Sequence, residues 1–319
     1  MKSRLVIGAV LVLASTVAAC GNSTSNSGDN DVLMVSVALY PIAEIVQRVA
    51  GDAVDVVNLT PPGTDAHDVE LTAKQVQKLE KSDAVFYFGD DFQPGIEKAI
   101  TSLNGVTSVD LFDSVELLDA TIEDPNAEQD IEEHEHGEHD PHVWLDPANM
   151  ISMTKTVVST LSTLLPESAD SVVKNGETYI AELTELGELL DAKIGVSTDG
   201  RASRCEDENL FTAHQGFRYL AHRAGLTLIP IAGINPEEQV STKYLESLRT
   251  VLKGKDVTIF YESLIPSSTA QALATSLRAR TDILNPVEGL STDDIASGIT
   301  YISAQRDNIQ RIAQALGCS

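Results

Sequence analysis

Residues Asp31–Gly51 read DVLMVSVALYPIAEIVQRVAG, and this stretch sets the fold class. Asp31–Leu39 is a short apolar run with β-branched residues, the signature of a buried strand. Pro41–Gly51 then has proline at a helix start, apolar residues at helical spacing and a closing glycine. The alternation continues outward. Val54–Leu59 reads as a strand, Leu71–Ser82 as a helix, Ala84–Phe88 as a strand and Pro94–Leu103 as a helix. Strand–helix repetition of this kind predicts a parallel α/β architecture.

After a helix opened by Pro147 and running to about Leu165, Pro166–Ile194 is the longest helical candidate. Gly176 and Gly187 interrupt its pattern. At 1.5 Å per residue such a helix spans roughly 43 Å, enough to join two lobes. The α/β pattern then returns, with strands at Asn209–Ala213, Leu226–Ile231, Val257–Tyr261 and Ile283-Leu284. Helices are expected at Gln215–Ala224, Thr242–Lys253, Ser267–Arg278 and Thr292–Leu316. The expectation is an N-terminal lobe at 32–165, a linking helix at 166–195 and a C-terminal lobe at 196–319. Each lobe would be a mainly parallel sheet flanked by helices.

Residues 1–19 read as a secretory signal: Lys2 and Arg4, then an apolar run from Val6 to Val17, then Ala18-Ala19. Val17-Ala18-Ala19-Cys20 resembles the bacterial lipoprotein box, which implies cleavage before Cys20 and lipidation of its thiol. Residues 20–31, largely GNSTSNSGDN, would be the flexible tether. The protein is thus expected outside the cytoplasm, anchored to the cell membrane. The formal charge of -26 argues against nucleic acid as a partner, since phosphate binding needs clustered Lys and Arg. In an oxidising compartment the distant pair Cys205 and Cys318 reads as a disulfide. The alternative, two thiols on a metal, lacks a nearby histidine.

Four of the seven histidines lie in Glu132–Pro147, EEHEHGEHDPHVWLDP. The first part belongs to an acidic tract, about 119–140, expected to be a poorly ordered loop. Its His134, His136 and His139 are either auxiliary metal contacts or solvated residues. Asp140–Pro147 instead reads as a stiff turn before a helix. Four residues stand in turns that follow strands: His67, His142, His214 and Glu288, at intervals of 75, 72 and 74 residues. Ends of parallel strands are where open α/β sheets place ligand groups. Each lobe would offer two. Three imidazoles and one carboxylate suit tetrahedral Zn²⁺, whereas Mn²⁺ favours more oxygen. The residues alone leave Glu288 open between a ligand and a solvated loop carboxylate. It could also be the general base of a secreted zinc hydrolase with water in the fourth position. Against hydrolysis, four protein ligands leave no open position, and no HExxH, GxSxG or phosphate loop is present. Imidazole must be neutral to bind metal, so binding is expected to weaken as pH falls through about 6.

Several blocks together carry a family resemblance: PGTDAHDVEL (Pro62–Leu71), DPHVWLDP (Asp140–Pro147), TAHQGFRYLAHRAGL (Thr212–Leu226), AGINPEEQVS (Ala232–Ser241) and LNPVEGLS (Leu284–Ser291). From Val32 almost to its C-terminus the chain resembles the extracytoplasmic metal receptors of bacterial ABC importers, in their zinc branch. The resemblance implies two lobes joined by one long helix, with the metal in the cleft between them. It implies His67, His142, His214 and Glu288 as ligands and Zn²⁺ as the ion carried. It also implies delivery to a membrane permease by a monomeric receptor without enzymatic activity. Related chains often carry a cysteine pair, which supports the disulfide reading. Gln215, Gly216 and Arg218 depart from the family's usual residues after the third histidine, and Arg218 brings a charge near the site.

Overall fold

The computed structural model describes residues 32–64, 66–67, 69–120, 137–196, 204–232, 242–252, 254–262, 274–276 and 279–318. The signal, the tether with Cys20, His134, His136 and most of the expected Ser267–Arg278 helix lie outside these residues.

The N-terminal sheet holds β1 (Leu33–Val37), β2 (Val54–Asn58), β3 (Ala84–Tyr87) and β4 (Thr107–Asp110) in the order β2-β1-β3-β4. The second sheet holds β5 (Asn209–Thr212), β6 (Thr227–Pro230), β7 (Thr258–Glu262) and β8 (Arg280–Leu284) in the matching order β6-β5-β7-β8. All described pairings within the two sheets are parallel. In each lobe the chain leaves the central strand to one side and returns on the other. That reversal opens a crevice at the carboxyl ends of the strands.

The helices of the first lobe are α1 (Tyr40–Ala50), α2 (Ala73–Leu79), α3 (Pro94–Ile100) and α4 (Pro147–Leu164). The second lobe has α6 (Arg218–Ala224), α7 (Thr242–Leu252), α8 (Thr292–Ala296) and α9 (Tyr301–Ala315). Between the lobes runs α5 (Ala169–Lys193), 25 residues and therefore about 38 Å long. It packs on α1 and α4 of one lobe and on α6 and α9 of the other. Its two glycines do not break it; they are packing notches. A Cβ at Gly176 would lie 2.3 Å from Val158 Cγ2 of α4, and one at Gly187 would lie 2.9 Å from Arg223 Nη2 of α6. Into the second notch Arg223 brings a bidentate pair to Asp191 of α5, at 3.0 and 2.9 Å. Its Nη1 also donates to Asp146 at 2.8 Å, the residue that caps α4.

Three sequence expectations need correction. β4 was not foreseen, because TSVD is short, polar and half exposed at the sheet edge. The expected Thr292–Leu316 helix is two helices. Gly298 takes a positive φ of 75°, and Thr300 starts α9 with a reciprocal cap on Ser303. The ends of the acidic tract are ordered: Asp119 bridges His139 in antiparallel fashion, Ala120 N donates to Glu138 O at 3.0 Å, and Asp140 N donates to Leu118 O at 2.8 Å.

The structure joins Cys205 to Cys318, closing a separation of 113 residues. The amides of Glu206 and Asp207 also donate to Leu316 O. Chain entropy assigns such a loop about 4–5 kcal/mol. The Cys205→Ser/Cys318→Ser double variant is therefore expected to lose stability of about that size in denaturant titration, with the metal site left intact.

Candidate metal centre

The four sequence-predicted residues meet at the carboxyl ends of the strands. His67 follows β2, and His214 lies two residues beyond β5. Glu288 lies four residues beyond β8, and His142 opens the short 3-10 turn Val143–Leu145 ahead of α4. Each offers one ligand atom, and these atoms all lie within 4.8 Å of one another. His142 Nε2 is 3.3 Å from His67 Nε2 and 3.3 Å from His214 Nε2. Glu288 Oε1 stands 3.4 Å from His142 Nε2, 3.7 Å from His214 Nε2 and 3.9 Å from His67 Nε2. Ligands at 2.0–2.1 Å from a tetrahedral Zn²⁺ are spaced about 3.3–3.4 Å apart, so the set is slightly wider than a closed zinc shell.

The donor set fits a cation on a second count. Glu288 is 3 % exposed, and its Oε1 is buried without a hydrogen-bond partner. A buried carboxylate oxygen left so is costly unless a cation meets it.

Carboxylates behind the imidazoles orient them. Asp140 Oδ1 faces His142 Nδ1 at 2.9 Å and accepts the His142 backbone N–H at 3.0 Å. With the proton on Nδ1, the Nε2 lone pair points to the centre, the arrangement that raises ligand basicity. Gln215 Nε2 donates to Asp140 Oδ2 at 3.0 Å and also to Ala120 O, so one of the residues that departs from the family pattern steadies this carboxylate. Tyr219 O–H donates to Asp140 O at 2.9 Å. His214 Nδ1 is bonded to Glu262, the last residue of β7. Glu262 escaped the sequence reading because a strand-end glutamate is unremarkable in so acidic a chain. Gly216 was noted only as a departure, yet a Cβ there would lie 2.6 Å from His214 Cε1 and Nε2. Aromatic rings back two of the histidines: Phe92 meets His67 edge-on at 5.1 Å and Trp144 meets His142 at 5.3 Å.

His139 does not join the cluster. Its Nδ1 faces Asp90 Oδ2 at 3.1 Å. It lines, together with His67, Asp90 and Asp91, a cavity of about 10 Å³, the room of a single water. His222 is exposed on α6.

The electrostatics suit a cation at the centre of the cluster. Burial lowers the His142 pKa, but Asp140 and Glu288 more than offset it and lift the imidazole to about 10. Burial raises Glu288, yet the three histidines hold it down at about 2. His214 is likewise raised against its burial by Glu262. Proton competition therefore extends well above the pH of about 6 that free imidazole suggests.

Two outcomes follow. A His142 pKa of about 10, above its unfolded value, stabilises the metal-free protein below about pH 6.5 and loses that contribution as pH rises through 10. Zinc must expel the same proton. Calorimetry in buffers of differing ionisation enthalpy should therefore show about one proton released per ion near pH 8, with affinity rising as pH rises; binding without proton release contradicts the assignment. Gly216→Ala should crowd His214 and weaken zinc binding about 5- to 150-fold, read by chelator competition.

Residues 35–315 match the family model described as zinc-uptake complex component A, periplasmic (ZnuA). The chain is 32% identical over 318 residues to the high-affinity zinc uptake system protein ZnuA of Bacillus subtilis, covering 98% of this chain and 96% of that protein. It is 30% identical over 311 residues to the zinc-binding lipoprotein AdcA of Streptococcus pneumoniae, covering 95% of this chain but 60% of that longer protein. Among solved structures, the Zn(II)-bound ZnuA-like domain of Streptococcus pneumoniae AdcA superposes with a TM-score of 0.73 at 27% identity, covering 89% of this chain and 98% of that one. Its two parallel-sheet lobes, its long linking helix and these matches agree, and the chain belongs to the ZnuA family of zinc-uptake components.

Proposed function

We propose that this chain is an extracytoplasmic zinc-binding receptor that captures Zn²⁺ and delivers it to a membrane ABC permease. The observation that carries this reading is the convergence of three imidazole nitrogens and the unpartnered Glu288 oxygen at near-tetrahedral spacing. His67, His142, His214 and Glu288 are the proposed ligands, with Asp140 and Glu262 behind two of them. The zinc named in the relatives supports the choice of ion.

Four protein ligands leave no place for an activated water, so the centre carries an ion and does no hydrolysis. Glu288 Oε1 lies 3.4, 3.7 and 3.9 Å from the three nitrogens, close to the spacing of neighbouring ligands on one ion, which favours a ligand over a detached general base. A lipid on Cys20, a signal at residues 1–19 and a monomeric state complete the proposal. His134, His136 and His139 are read as auxiliary contacts that gather zinc; for His139, its share in the cavity beside His67 supports this.

Elemental analysis of protein dialysed without chelator is expected to find one zinc per chain, which excess manganese leaves in place. Preferential uptake of manganese would overturn the zinc assignment. Deleting Glu132–His136, which spares Glu138 and His139 of the Asp119 bridge, should leave affinity unchanged and slow zinc uptake in cells.

A further inference from the structure

Trp144, the only tryptophan, is fully buried and joins the two lobes at the site. It lies two residues beyond His142, and its ring stacks on Phe88 of the N-terminal lobe at 5.6 Å. Its indole N–H crosses to the other lobe and donates to Pro286 O at 2.8 Å. Its own carbonyl accepts from Tyr301 O–H at 2.5 Å.

Pro286 begins the turn that presents Glu288. The next residue, Val287, is buried and has a φ of 58°. A β-branched side chain in the left-handed region is strained and persists only when its surroundings over-determine it. Within the C-terminal lobe, Val287 N donates to Asn285 Oδ1 at 2.8 Å, and Asn308 holds both the N–H and the carbonyl of Asn285. Among the described residues, the Trp144 indole makes the one hydrogen bond from the N-terminal lobe to the backbone of Asn285–Glu288.

We propose that Trp144 is a positioning residue for Glu288: its N–H···O=C bond to Pro286 is a latch across the cleft that holds the strained Val287 turn in ligand geometry. Lobe separation breaks the latch, the turn relaxes, and the carboxylate leaves the ion ahead of the imidazoles. This rests on the zinc-receptor reading and adds to it the order of release.

Because Trp144 is the only tryptophan, biosynthetic incorporation of benzothienylalanine removes its N–H and keeps the bicyclic shape. Trp144→Phe serves as a second variant, with thermal unfolding as the check on folding. Zinc transfer to saturating chelator should speed about tenfold in either variant, as for loss of one hydrogen bond. Beside Glu288→Gln, the same replacement should add less than twofold. In metal-free protein, amide exchange at residues 287–290 should accelerate while β7 stays protected. Equal acceleration of zinc transfer in both backgrounds, or none in either, overturns the proposal. A parent protein that takes up no zinc refutes the receptor reading instead, and the exchange measurement alone then decides the role of Trp144.

Discussion

The structure depends on holding four electron-rich atoms where they do not want to be. Imidazole nitrogens 3.3 Å apart beside a buried carboxylate oxygen repel one another unless a proton or a cation lies among them. The protein meets that repulsion with rigidity. Asp140 and Glu262 fix two rings from behind, Gly216 leaves one of them its space, and aromatic rings close the other side. Preorganisation of this kind raises affinity by removing the cost of ordering ligands at the moment of binding. It also explains the protonation pattern. Asp140 and Glu288 lift His142 to about 10 against its burial, and the three histidines hold Glu288 down at about 2.

That rigidity reaches across both lobes. By sequence, Asp140–Asp146 belongs to the N-terminal half, but most of its described hydrogen bonds to residues distant in sequence run to the C-terminal one. Asp140 meets Gln215 and Tyr219, Trp144 meets Pro286 and Tyr301, and Asp146 meets Arg223. The linking helix adds a second tie through Asp191 and its glycine notches. Lobes joined along a helix of about 38 Å are suited to small tilts rather than wide opening.

Most of the architecture was legible because buried parallel strands are written as apolar runs and their helices as periodic ones. β4 was not, since an edge strand of TSVD has neither signal. Gly176 and Gly187 looked like weaknesses in a helix because a sequence shows their low propensity and hides what packs against them. His67 and His214 were legible from their places after strands, and His142 from the Asp-Pro turn before it, although it follows no strand and instead opens the 3-10 turn ahead of α4. Glu262, Gly216 and the bond from Trp144 to Pro286 were not, because each acts on a partner brought near only by folding or by close steric approach. For Glu262 and His214 the separation is 48 residues; for Trp144 and Pro286 it is 142.

The short antiparallel bridge between Asp119 and His139 has a consequence for how this chain tolerates change. It pins the two ends of the acidic, histidine-bearing insert together on the folded body, next to Asp140. With those two ends held together, the entropy of closing the chain between them grows only slowly with its length, by about 0.6 kcal/mol for each doubling. Length and composition can therefore change between Asp119 and His139 at small cost to the fold, provided the bridge that closes the segment is kept.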